Sequence, residues 1–333
     1  MPLVTSKNLL EDARKGRYAV GGFNASNMEM VQAIVEAAQE ERAPVIVQIS
    51  QGALRYAGRE FCAAIVKTAA ELASVPVVLH LDHGKDYPVN VRCLREGFTS
   101  LMYDGSDAPF EENVRETKRV VEAAHICGVP VEAELGKVPR IHEFANLLGR
   151  DYNFSSPLPE AVRSRVDALF PSPDAAAEFV GRTGCDSLAI ACGSVHGMKA
   201  AVQPLNIGLI EIIASRVGIP LVLHGSSGVV KTAEDAEKRT LVFREGEGSI
   251  EDAIERGVAK INVSTDLQVA FLGAIEEALK EAPREKDLRK LFVPAKDALK
   301  RRVREYIRLF RSSGRVKEQK PSRSGEGGII HDG

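Results

Sequence analysis

Several features that would mark an unusual protein are missing from this sequence. It has five cysteines among 333 residues: Cys62, Cys93, Cys127, Cys185 and Cys192. The number is odd and no two stand in CxxC spacing, which argues against a disulfide framework or a cysteine-rich zinc site. No uncharged apolar run approaches the ~18 residues of a membrane span. The opening MPLVTSKNLLEDARKGR has no apolar signal-peptide core. Together these absences predict a reducing, cytoplasmic setting. Neither charge sign is in excess, since 44 Lys and Arg against 46 Asp and Glu leave a formal −2. Nucleic-acid capture needs a basic face, so neither nucleic acid nor membrane is an expected partner. What remains is ordinary, with 44% apolar and 27% charged residues. A chain of this length and composition buries a sizeable core without disulfide or metal and is not dominated by disorder.

Eight short runs rich in Val, Ile and Leu recur: Ala19–Phe23, Pro44–Gln48, Pro76–Asp82, Ser100–Asp104, Pro130–Glu134, Ser187–Ala191, Pro220–His224 and Ala259–Val263. They read as buried parallel strands. Helical patterns lie between them. Met28–Arg42 places Met28, Val31, Ile34, Val35 and Ala38 on one face, and Phe110–Cys127 does so with Val114, Val120, Val121 and Ala124. Eight alternating units predict an α/β fold, a (β/α)8 (TIM) barrel with a C-terminal helical extension, in one domain over residues 1–310. The alternative, an open doubly wound sheet, lacks a GxGxxG after its first strand. Two polar stretches, Arg140–Ser172 and Val229–Gly248, follow strands and read as long loops over the mouth. Ala295–Phe310 is amphipathic, with Leu299, Val303, Ile307 and Phe310 on one side. From Arg311 the composition predicts a flexible tail, residues 311–333.

In such a barrel, polar residues at the carboxyl ends of strands read as active site. The third run ends in Asp82 and His83, the fourth in Asp104, the fifth in Glu134, the seventh in His224 and the eighth in Asn262. The sixth leads through Gly193 to His196. Three imidazoles from three strands, with an open fourth position, make a catalytic zinc arrangement. Asp82 is a candidate general acid/base. Asp104 and Glu134 stand either to hold a second cation or to orient the histidines. The loops after the seventh and eighth strands, Gly225-Ser226-Ser227-Gly228 and Asn262-Val263-Ser264-Thr265-Asp266, are small and hydroxyl-bearing. Their backbone N–H groups are free to converge on a phosphate, and Lys199 is a further candidate cation.

With these residues in place, the sequence resembles the class II, metal-dependent fructose-bisphosphate aldolases and their tagatose-bisphosphate relatives. The matching segments are GGFNASNMEMVQAIVEAA from Gly21, VLHLDHG from Val78, GFTSLMYDGSDAPFEENVRETKRVVEAAH from Gly97, VEAELG from Val131 and GSVHG from Gly193. LVLHGSSG from Leu221, AKINVSTDLQVAF from Ala259 and PAKDAL from Pro294 complete the set, in family order. The resemblance implies that His83, His196 and His224 bind zinc, with Asp104 and Glu134 at an alternative or second metal position. It implies that Asp82 serves the C4 hydroxyl of the sugar. Gly197, Gly225, Ser227, Asn262, Ser264 and Thr265 then hold the dihydroxyacetone phosphate end, partly around a monovalent cation (Na+ or K+). Asp266 follows that motif toward the substrate hydroxyls. Ser50 lies where the family contacts the second phosphate. A sugar-phosphate ligand and a homo-oligomer, dimer or tetramer, are implied as partners.

The departures from the family pattern fall on the substrate side. Here HGMKAA stands for the usual HGxYKG, so Lys199 is only approximately placed. The loop after VEAELG reads KVPRIHEFA rather than a GG-E-E-like segment. Glu143 is its only acid and the candidate proton-abstracting base, with His142 as the alternative. Gln268 replaces a common arginine, and Arg289 in KDLRKLF is a candidate to compensate. The reaction implied is reversible cleavage of fructose 1,6-bisphosphate to dihydroxyacetone phosphate and glyceraldehyde 3-phosphate. Tagatose bisphosphate, another ketose bisphosphate, or a non-catalytic sugar-phosphate-binding role stay open. A Schiff-base aldolase needs a lysine at a strand end, whereas Lys260 lies at a strand start, and a metallohydrolase needs no phosphate loops.

Overall fold

The computed structural model describes residues 3–149, 157–198 and 202–316. Eight strands coincide with the eight apolar runs: β1 (Val20–Asn24), β2 (Val45–Ser50), β3 (Val77–Asp82), β4 (Leu101–Tyr103), β5 (Val131–Leu135), β6 (Ser187–Ile190), β7 (Leu221–Leu223) and β8 (Val258–Val263). The sheet order is β3-β2-β1-β8-β7-β6-β5-β4, with every neighbouring pair parallel. Its two edges meet. The Leu81 N–H donates to the Ser100 carbonyl at 3.1 Å and the Asp104 N–H to the Gly84 carbonyl at 2.9 Å. The result is a (β/α)8 barrel.

Strand alternation sorts the side chains into two environments. Val77, Leu79 and Leu81 of β3 face outward into the main apolar cluster with the surrounding helices. Val78 faces inward and packs with Val20, Ile46 and Ala259 against Leu10 and Ala13 of the helix Ser6–Gly16. That helix plugs the amino end of the barrel. Above the plug the interior turns polar: Gln48, His80, Glu132 and Lys260 are buried, followed by Asp82, Glu134 and Asn262. Gly22 makes room for this layer, because a Cβ there would stand 2.4 Å from Gln48 Oε1 and 2.9 Å from Asn262 Oδ1.

The outer helices follow local signals. Asn27 caps Met28–Glu40 by accepting from the Met30 N–H. Glu111 and Glu112 sit in the first turn of Phe110–Ile126, where the helix dipole favours acids. The C-terminal helix Leu288–Leu309 buries Ala295, Leu299, Val303, Tyr306 and Ile307. Tyr306 and Phe310 each bring their rings to 6.5 Å from Phe23 of β1.

Both expected loops carry more structure than their polarity suggests. In the first, Ile141–Phe144 forms a 3-10 turn and Glu160–Asp167 a helix. Ile141, Phe144, Leu158, Val162 and Val166 form a satellite cluster with Val195, Met198 and Val202. Their spacing is too sparse along the chain to read as a periodic element. Residues 150–156 lie outside the described residues. In the second, Ala233–Lys238 is helical and Glu247–Gly248 pairs antiparallel with Leu205–Asn206. The tail expected from Arg311 is corrected at its start. Ser312 is buried, Gly314 N–H donates to the Glu41 carbonyl at 2.8 Å, and Val316 N–H donates to the Arg42 carbonyl at 2.9 Å. Polar composition there hid a backbone-bonded segment. Residues 317–333 lie outside the described residues.

Candidate active site

The carboxyl ends of the strands form one mouth. On β3, Asp82 faces inward by alternation. His83 follows with φ 50°, a left-handed conformation that costs a non-glycine residue about 1 kcal/mol or more. That kink lets two consecutive side chains enter the same mouth. Asp82 Oδ2 accepts from Asn24 Nδ2 at 2.7 Å, and Asn24 Oδ1 accepts from Gln48 Nε2 at 3.2 Å. Asn262 Nδ2 reaches Asp82 Oδ1 at 3.5 Å. Burial raises the Asp82 carboxyl, but His83, His224 and Lys260 outweigh it and hold it below the usual carboxylate range.

Three imidazoles converge beside it. The ring centroids of His83 and His224 are 4.7 Å apart, those of His83 and His196 5.6 Å, and those of His196 and His224 6.3 Å. One ligand atom from each lies within 4.8 Å of the others, and the same holds for His83, Asp104 and Glu134. Carboxylates orient the rings. His83 Nδ1 is 2.6 Å from Asp104 Oδ2, and His224 Nε2 is 2.9 Å from Glu132 Oε1. Glu132 in turn pairs with Lys260 Nζ at 2.8 Å. His224 Nδ1 and Glu134 Oε2 are buried, lie 3.3 Å apart and have no hydrogen-bond partner. Two buried ligand atoms without hydrogen bonds, beside two more imidazoles, are the environment a divalent cation satisfies, so the residues fit a metal.

The rings differ in basicity. Burial and the neighbouring His83 and His224 push His196 down to about 3, leaving it neutral. Burial lowers His224, but its carboxylate partners Glu132 and Glu134 outweigh that and raise it to about 10. Burial likewise opposes the rise of His83, which Asp82 and Asp104 enforce. Metal ligation requires neutral rings, so seating a cation displaces these protons.

His196 is positioned by loop contacts, since β6 ends at Ile190. Its N–H donates to the Pro139 carbonyl and its carbonyl accepts from the Ile141 N–H, both at 2.9 Å. The loops after β7 and β8 are joined similarly: Ser226 Oγ donates to the Asn262 carbonyl and Asp266 N–H donates to Ser227 Oγ. Gly225 adopts φ 63°, and a Cβ there would crowd the His196 N atom at 3.3 Å. Above the histidines opens a cavity of about 580 Å³, the size of a small-molecule site.

A family model described as fructose-bisphosphate aldolase class-II matches residues 4–315. The chain belongs to that family. It is 45% identical over 323 residues to a fructose-bisphosphate aldolase of Thermus caldophilus, covering 94% of this chain and all of the relative. A fructose-bisphosphate aldolase of Geobacillus stearothermophilus is 40% identical over 319 residues, covering 95% and 99% of the two chains. Among solved structures, the YdjI aldolase of Escherichia coli K12 superimposes with a TM-score of 0.73 at 33% identity, covering 95% of this chain and all of that one. The family is metal-dependent, and the histidine and carboxylate groups above are this aldolase's candidate ligands.

The cavity of the aldolase gathers most of the expected site residues. Ser50, Asp82, His83, His196, Gly197, Gly225, Ser226, Ser227, Asn262, Ser264 and Thr265 line it. His224 lies beneath, fully buried. Asp104, Glu134 and Glu143 line a smaller side cavity with His83 and His196. Val263 faces the outer apolar core, so only its backbone is available to a ligand. Asp266 is turned away, accepting from Tyr306 Oη at 2.7 Å. Arg289 does not line the cavity; it pairs with Asp287 at 2.8 Å on the surface. Lys199 lies outside the described residues. Sequence reasoning missed the supporting layer of Asn24, Gln48, Glu132 and Lys260. The alternation V-E-A-E-L of β5 was the available signal, since it puts Glu132 and Glu134 on one face. Lys260, expected at a strand start, is the third residue of β8 and reaches the interior.

Proposed function

We propose that this aldolase reversibly cleaves fructose 1,6-bisphosphate to dihydroxyacetone phosphate and glyceraldehyde 3-phosphate, with a zinc ion held by His83, His196 and His224. The observation that carries the reading is the convergence of three imidazoles within ligand distance at the floor of one cavity. Zinc, when bound, supplies a Lewis acid for the negative charge that develops on the ketone half of the substrate.

The chain's own residues do the rest. Asp82, fixed by Asn24 and Asn262, takes the C4 hydroxyl proton as the C3–C4 bond breaks. The loops Gly225–Ser227 and Asn262–Thr265 hold the ketone-end phosphate. They adjoin the amino end of the helix Thr265–Glu281, whose dipole favours an anion. A monovalent cation, Na+ or K+, would be held at that end by the residues of these two loops and would offset the phosphate charge. In the condensation direction Glu143 removes the proton from the dihydroxyacetone phosphate carbon. Asp104 and Glu134, which share His83 in the second ligand group, offer an alternative metal position.

We also assign the enzyme to the cytoplasm, where its five free cysteines stay reduced. A homo-oligomer, dimer or tetramer, suits the exposed Val269, Leu272, Leu288 and Val293, and a monomer on sedimentation would refute it. The reaction is tested by assaying fructose and tagatose bisphosphates with and without chelator. Chelation is expected to abolish cleavage of fructose 1,6-bisphosphate, and His224→Ala to remove metal and activity together. Full turnover by metal-free protein, or faster turnover of the tagatose isomer, overturns the proposal.

A further inference from the structure

We propose that Arg55 grips the far phosphate of the substrate and so makes this enzyme selective for a ketose bisphosphate. The inference rests on the aldolase reading above and names the residue that determines its substrate class.

Around the rim, β8, β1, β2 and β3 are successive neighbours. The phosphate loops at β7 and β8 hold the ketone end, and Asp82 at the tip of β3 works on the C4 hydroxyl. Asp82 lies across the mouth from those loops, so the carbons beyond C4 come to the wall formed by β3 and its neighbour β2. Ser50, the last residue of β2, pairs in register with Asp82. The helix Gln51–Ala57 starts there, and Gln51 Nε2 donates to the His83 carbonyl at 3.1 Å. That bond turns the Gln51 face of the helix toward the mouth. Arg55 is four residues on, hence on the same face. It lines the substrate cavity, and its guanidinium has no partner among the described residues.

The other cations of the cavity wall are differently placed. Lys85 is held by Asp104 at 2.8 Å and Asp107 at 3.0 Å. Arg140 stands beside His196, the ligand nearest the β5 loop, on the other wall. Gln268 supplies only a neutral amide, which reaches Ser264 Oγ at 3.5 Å. A free, planar guanidinium on the wall of β2 and β3 is suited to a terminal phosphate, which it binds with two parallel hydrogen bonds.

The test compares fructose 1,6-bisphosphate with fructose 1-phosphate, which lacks only the far phosphate. Arg55→Ala is expected to lower kcat/KM for the bisphosphate by on the order of 10–100-fold, mainly through KM, the size of a lost charge-assisted contact. The fall for the 1-phosphate should stay within about threefold, and Arg55→Lys should recover part of the bisphosphate rate. Equal losses with both substrates, or an unaltered bisphosphate KM, overturn the assignment. A wild-type enzyme that exchanges the dihydroxyacetone phosphate proton yet shows no preference for the bisphosphate also overturns it, while leaving the aldolase reading intact. A wild-type enzyme that cleaves neither ketose and exchanges no proton defeats that reading instead.

Discussion

Asp82 and His83 are adjacent in sequence and share one mouth, an arrangement that strand geometry forbids and the left-handed His83 permits. The identity of both residues, and of His196 and His224, was legible because each ends or follows an apolar run and each histidine precedes a glycine. What held them was not. Asn24 and Lys260 act only through partners distant in sequence, so no local spacing marks them, whereas the alternation of β5 puts Glu132 on the face of Glu134. Asp82→Ala is expected to keep the fold and the metal and to lose on the order of 10²–10⁴-fold in cleavage. Metal content and kcat measured on the same preparation decide this. Unchanged turnover would make Asp82 a residue that only orients its neighbours.

Among the elements, the segment after β5 departs most from what polarity suggests. It is tied to the histidine cluster by two backbone bonds to His196. Glu143 is held by Lys137 at 2.9 Å, and Lys137 also pairs with Asp107 at 3.1 Å. Burial raises the Glu143 carboxyl, but Lys137 outweighs it and keeps it ionised, as a base requires. Glu143 lines the side cavity, while its neighbour His142 lines the main one. Proton abstraction by Glu143 therefore calls for release from Lys137 and a short swing of the loop. Glu143→Ala is expected to abolish exchange of the dihydroxyacetone phosphate proton with deuterated solvent, with zinc content and phosphate affinity retained. Exchange at the original rate would pass the role to His142.

For the whole molecule, the barrel and its C-terminal helix are joined at Glu41. This buried carboxylate accepts from Arg304 Nε at 2.8 Å, Arg308 Nε at 3.1 Å and Ser313 Oγ at 2.8 Å. Burial opposes its ionisation, but these donors outweigh it and hold its pKa at about 2, below the ordinary 4.5. A depressed carboxyl stabilises the fold above its unfolded pKa. The contribution is therefore complete at neutral pH and is lost as pH falls from about 4.5 toward 2. Glu41→Gln is expected to cost about 1–3 kcal/mol at pH 7 and to flatten the acid limb of stability against pH. Denaturant melts across that range check it. Parallel curves for the variant and the parent would show that the junction contributes no pH dependence.

The sequence by itself determined the barrel and its chemistry. Strand and helix periods are local, and eight alternating units leave few ways to bury their apolar faces. The strand-end histidines and hydroxyl loops follow from where those periods stop. Tertiary structure alone decided how the charges are arranged. Arg289 lies outside the cavity and Arg55 inside it, Lys260 meets Glu132 within the barrel, and the polar loop after β5 folds onto His196. Each outcome depends on which distant backbone a side chain meets once the barrel closes, and residue spacing along the chain does not encode that distance.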